Sequence, residues 1–98
     1  MAEQIKPQHK EFVVSSIKNI FPKAEILAFG SRVKGSAREY SDLDIALKAA
    51  DQLSSADFLL LKEKFEASDL PYKVDLLEFS KVDPDFQSII TKTSVKWG

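Results

Sequence analysis

The chain contains no cysteine. That excludes disulfides and thiolate metal sites. Any metal must be held by oxygen donors or by the single histidine, His9. Oxygen donors favour hard ions such as magnesium. An excess of one charge is also missing: 14 Lys+Arg face 15 Asp+Glu, for a net charge of −1. Dedicated nucleic-acid binders carry a basic excess, so nucleic acid is not expected as a direct partner. Long apolar runs are absent, the longest being Ile26–Phe29 and Phe58–Leu61. Neither approaches a membrane span, and Met1–Lys10 holds no apolar signal core. A cytoplasmic protein without membrane contact is the expected setting. Repeats, low-complexity tracts and linkers are missing too, so one domain over residues 1–98 is expected.

What is present is a regular succession of apolar patterns. Pro7 suits the first turn of a helix, and Phe12, Val13, Ile17, Ile20 and Phe21 recur at helical spacing up to Pro22. Ala24–Phe29 reads as a strand with both faces buried. Gly30 breaks it, Ser31–Ala37 reads as a turn leading into a short helix, and Arg38–Ser41 as loop. Asp42–Lys48 alternates sharply: Leu43, Ile45 and Leu47 face one way, Asp42, Asp44 and Ala46 the other. Ser55–Ala67 is a helix capped by Ser54 or Ser55. Its buried stripe is Phe58, Leu61 and Phe65, widened by Leu59 and Leu60. Lys73–Phe79 is a third strand, with Val74 and Leu76 opposite Asp75 and Leu77. Glu78 reads as surface. Asp83-Pro84 opens a last helix through Phe86, Ile89, Ile90 and Thr93, and Ser94–Gly98 has no assigned state. The order α-β-α-β-α-β-α implies an α/β (α+β) fold, a small mixed sheet flanked by helices.

Glycine is scarce, at three residues, and two of them, Gly30 and Gly35, lie in the most informative segment. Gly30-Ser31 is followed by the ten residues Arg32–Ser41 and then by Asp42-Leu43-Asp44. Residues i and i+2 of a strand share a face, so Asp42 and Asp44 repel each other unless a cation sits between them. Alone, the pair fits a solvated strand end better than a metal site. The upstream turn changes the reading. Gly30 can adopt angles that bring amides close to a ligand, Ser31 adds a hydroxyl, and helix starts bind phosphates. Arg32, Lys34 and Arg38 supply positive charge with no acid directly among them; a solvated basic face is the bland alternative for at least one of them. Gly30 and Gly35 have the spacing of a P-loop, but Ser36 stands where that motif needs lysine. The P-loop is rejected. Asp75 completes the set: an acid in the middle of an apolar strand needs a reason. If the third strand lies beside the second, Asp75 faces Asp44.

These residues resemble the nucleotidyltransferase superfamily that includes DNA polymerase beta, with its Gly-Ser, spacer and Asp-x-Asp signature. More narrowly, Phe29-Gly30-Ser31-Arg32-Val33-Lys34-Gly35, Ser41-Asp42-Leu43-Asp44 and Leu70-Pro71-Tyr72-Lys73-Val74-Asp75-Leu76 look like the minimal nucleotidyltransferases. The resemblance implies the polymerase beta-like fold, ATP as substrate and two Mg2+ ions. It implies that Asp42, Asp44 and Asp75 are the catalytic and metal-binding residues, with Asp75 helping to activate the acceptor hydroxyl. Gly30, Ser31, Arg32 and Lys34, with Asp42 and Asp44, would bind the nucleotide. Members are often antitoxins of HEPN ribonuclease toxins encoded nearby, which implies AMP transfer to a toxin tyrosine and a hetero-oligomer with the toxin. Masking the toxin by contact alone, or sensing a nucleotide, remain alternatives. No second domain is in evidence to hold the base or the acceptor, so a partner is expected to complete the site.

Three further residues stand out. His9 is far in sequence from the acids and reads as structural. Trp97 either docks on the domain or anchors a partner, and docking is the expectation. Tyr40 either stacks on a base or caps the core; Tyr72 flanks the Asp75 strand.

Overall fold

The computed structural model describes residues 5–35 and 41–97. Helix α1, Pro7–Ile20, starts at its proline and turns Val13, Ser16 and Ile17 inward. Strand β1 is Glu25–Phe29, and the single-turn helix α2 is Ser31–Lys34. Strand β2 is Leu43–Lys48 and helix α3 is Ser55–Glu66, capped by the Ser54 hydroxyl accepting from Asp57 N–H. Strand β3, Val74–Glu78, runs into a 3-10 turn at Phe79–Lys81. Helix α4, Pro84–Thr93, is capped by Asp83, which accepts from Phe86 N–H at 3.0 Å. Strand β4, Val95–Trp97, closes the described chain.

The sheet order is β3-β2-β1-β4. β1 is antiparallel to both β2 and β4, while β2 and β3 are parallel. The parallel pair needs a crossover, which α3 supplies. Alternate residues therefore feed two cores. Ile26, Ala28, Leu43, Ile45, Leu47 and Leu76 pack with Val13 and Ile17 of α1 and Leu61 and Phe65 of α3. Phe12 and Phe65 meet edge to face at 5.9 Å and join those helices. On the opposite face, Phe29 and Ala46 pack with Ile90 and Phe86 of α4, and Leu27 and Leu77 flank them. Among the described residues, no helix is long and apolar enough to cross a membrane.

Four expectations change. Ser94–Gly98, left unassigned, contributes β4, and Trp97 pairs with Ile26 while only 1% exposed. An edge strand that can bury an indole is stabilised by that burial despite its short length. Leu59 and Leu60 do not widen the buried stripe of α3; they are 56% and 57% exposed. They point away from the sheet because Leu61 and Phe65 already fill the space beneath the helix. Glu78 is not a surface group. Its side chain is 10% exposed, held by Lys81 at 3.5 Å and by the Ser80 hydroxyl at 3.3 Å. Where a turn leading into a short helix was expected, the helix starts at Ser31 itself and ends at Lys34, because Gly35 takes a left-handed φ of 81° and terminates it. Arg38 and Tyr40 lie outside the described residues.

Candidate active site

The site is built where β1 stops. Phe29, the last residue of β1, lies directly opposite Asp44 of β2. Asp44 in turn lies opposite Asp75 of β3. The expected juxtaposition of Asp44 and Asp75 is therefore met. Both acids sit on the α4 face of the sheet, in step with Ala46 and Leu77 two residues further along their strands. Asp44 is half-buried there, while Asp42 and Asp75 are exposed.

Gly30 follows Phe29 and packs against Asp44. Its φ is 83°, a region that side chains avoid. A Cβ on it would collide with Asp44 Oδ2 and lie 3.1 Å from Asp44 Cγ. Both the turn and the close approach demand glycine. They also bring the Gly-Ser turn and the acid pair, separated by the spacer in sequence, into contact. Ser31 opens α2, whose first amides have no intrahelical partners; Lys34 N–H bonds to Gly30 C=O at 3.1 Å. Lys34 is exposed and Ser31 half-buried.

Electrostatics mark the same place. The Asp44 carboxyl is raised from 3.8 to about 6, first by burial, then by the negative charge of Asp75 and of Asp42. Three carboxylates sharing one corner have too little positive charge to offset them. This donor set suits a hard divalent cation. Among the described residues, no three histidine, aspartate or glutamate side chains are grouped so that they could hold a metal ion by themselves, so a cation here would need further ligands such as water or phosphate oxygens.

Arg32 is located differently from Lys34. It is 7% exposed, its Nε donates to the Ser41 carbonyl at 2.7 Å, and its guanidinium lies 3.9 Å from the centre of the Tyr72 ring. Tyr72 is 9% exposed, and its hydroxyl meets His9 Nδ1 at 3.2 Å. Burial raises the Tyr72 hydroxyl above its ordinary 10.0, and the Arg32 charge partly counters this. His9 is thus engaged with Tyr72, by this hydroxyl contact and by an edge-on ring contact. This cluster also borders a hollow of about 570 Å³ shared with Ile5, Lys6, Pro7 and Pro71. In the sequence Arg32 reads with Lys34 and Arg38 as a cation on the phosphate side, whereas its side chain is buried against Tyr72. The available signal was its position beside the apolar Val33 in a helix of one turn, where one flank must face inward.

The family described as polymerase beta nucleotidyltransferase matches residues 15–96. A protein of Haemophilus influenzae named as a probable protein adenylyltransferase, MntA, is 44% identical over 94 residues, covering 93% of this chain and 80% of that protein. Among solved structures, a toxin–antitoxin complex with AMP-PNP superposes with a TM-score of 0.76 at 28% identity, covering 91% of this chain and 73% of that one. A second, the tri-AMPylated HEPN toxin of Shewanella oneidensis in complex with an MNT antitoxin, gives a TM-score of 0.72 at 27% identity and covers 96% of this chain and 73% of that one.

Proposed function

The chain belongs to the polymerase beta nucleotidyltransferase family, and from that premise we propose that it is a magnesium-dependent protein adenylyltransferase of the antitoxin type. It transfers AMP from ATP to a hydroxyl, in the first instance a tyrosine, of a HEPN ribonuclease toxin and so neutralises it. The adenylyltransferase name of the Haemophilus relative and the AMPylated toxin in the Shewanella complex support this reading. The observation that carries it is the register Asp44 opposite Asp75, with Gly30 packed on Asp44.

In this reading the Gly30-Ser31 turn and the exposed Lys34 hold the β- and γ-phosphates, as helix starts and lysines do. Asp42 and Asp44 would hold magnesium, and Asp75 would add a carboxylate on the acceptor side. Bound magnesium would neutralise charge on the triphosphate and orient it. The acceptor hydroxyl oxygen bonds to the α-phosphorus and the bond to the β-phosphate bridging oxygen breaks. Pyrophosphate leaves, and the hydroxyl proton passes to the Asp75 carboxylate, which its exposure leaves open to an acceptor.

Labelled ATP, magnesium and the partner toxin test the assignment. Asp44→Asn should reduce label transfer by about 10²-fold or more, the scale of several kcal/mol of lost charge stabilisation. Undiminished transfer by that variant overturns the carboxylate roles. One observation favours a second reading, masking by contact. Leu59 and Leu60 on α3 are large apolar side chains more than half exposed, a surface that a partner could cover. Full neutralisation of the toxin by the Asp42→Asn/Asp44→Asn double variant would make contact sufficient.

A further inference from the structure

Asp42, Asp75 and Ser31 come from three separate segments, and Arg32, next to Ser31 in the chain, contacts through its side chain residues shortly before the other two. Arg32 follows Ser31 directly in α2. Its Nε bonds to the carbonyl of Ser41, which belongs to the peptide unit leading into Asp42. Its guanidinium stacks on Tyr72, three residues before Asp75. The next contact tightens the same corner: Leu43 N–H donates to the Lys73 carbonyl at 2.8 Å, tying the start of β2 to the residue after Tyr72. An arginine is rarely buried to 7% exposure without partners that need it. Its planar group can donate along an edge and stack on a face at once, which an ammonium cannot do.

We propose that Arg32 is a positioning residue, which holds the Gly-Ser turn, the Asp42 peptide and the Asp75 strand in one geometry, rather than a ligand of the triphosphate. The proposal rests on the adenylyltransferase reading for the identity of the site, but not for its own test. Arg32 acts through Asp42 and Asp75, so its loss should appear at the metal site and in the chemical step. A phosphate ligand would instead act on nucleotide affinity.

The discriminating variant is Arg32→Lys, which keeps the charge and loses both the Nε donor and the planar face. Three readouts on the full chain separate the cases: Mg2+ titration by calorimetry, AMP-PNP binding in EDTA, and hydrogen exchange at the Leu43 amide. The expected result is about tenfold weaker Mg2+ binding, equal to about 1.4 kcal/mol, faster exchange at Leu43, and AMP-PNP affinity within about twofold of the parent. In the transfer assay kcat should fall by up to about 10²-fold, the cost of a misplacement near 1 Å, with KM for ATP changed far less. Tyr72→Leu, which removes the platform and keeps the arginine, should shift Mg2+ binding in the same direction and guards against a variant that fails to fold. A tenfold loss of AMP-PNP affinity in EDTA with Mg2+ binding intact would make Arg32 a phosphate ligand. Unchanged Mg2+ binding and unchanged Leu43 exchange in both variants would also overturn the proposal. If the parent protein transfers no label, the functional reading fails while the exchange measurement still decides the role of Arg32.

Discussion

Asp44 is under opposed demands. Its carboxyl is half-buried, faces two other acids, and titrates near pH 6 in the metal-free protein. The sign of the consequence is unusual for a carboxylate. Between pH 3.8 and about 6 the folded state binds more protons at Asp44 than the unfolded chain does. Stability of the metal-free protein therefore falls as pH rises through that window, and the penalty is fully present above it. Asp44→Asn should remove this pH dependence and raise Tm at pH 7 in EDTA. Solvent screening at a half-exposed carboxyl cuts the relief to about 1 kcal/mol, which corresponds to roughly 4–8 °C in a domain of this size. Thermal melts from pH 4 to 7.5 check it, and a variant that melts in parallel with the parent at every pH contradicts it. Saturating Mg2+ should recover the lost stability in the parent and have little effect in the variant. The same residue thus ties function to instability: the acids that attract a cation strain the fold without one.

At the scale of elements, local chemistry accounts for most boundaries. Pro7 starts α1, Asp83 and Pro84 start α4, and Gly35 ends α2. Asp83→Ala should cost about 1 kcal/mol, because the Phe86 amide loses its acceptor. Urea unfolding should show a lower midpoint with an unchanged m-value. These boundaries were legible in the sequence because caps and breakers act over a few residues. Burial on α3 was not. Phe58, Leu59, Leu60 and Leu61 form one apolar run, and periodicity alone could not say how wide the covered stripe was. The sheet beneath accommodates Leu61 and Phe65, and Leu59 and Leu60 remain outside. Glu78 failed in the opposite sense. Its apolar strand ended in a charged residue, which reads as exposed until the 3-10 turn folds Ser80 and Lys81 back onto it.

The whole molecule is held by contacts distant in sequence. Trp97 is the clearest case. It pairs with Ile26 across β4 and β1, sits in the core under α1, and has Lys10 at 5.2 Å over its ring. Trp97→Ala should cost about 3–5 kcal/mol, a large share of the total stability of a domain this small. A fall in Tm of only a few degrees would show that β4 is dispensable.

Composition and pattern by themselves determined which chemistry was open to this chain. No cysteine and one histidine left oxygen ligands for any metal, and the Gly-Ser turn, Asp42, Asp44 and Asp75 were readable as candidates one segment at a time. Hydrophobic periodicity also determined which face of its own strand each acid occupied. Tertiary structure alone decided what lay opposite. The parallel register of β2 and β3 set Asp44 beside Asp75, the end of β1 drove Gly30 against Asp44, and the stack on Tyr72 drew Arg32 inward. The physical reason is range. Backbone period and capping follow from neighbours a few residues away, whereas register and burial are settled only when distant segments compete for the same core.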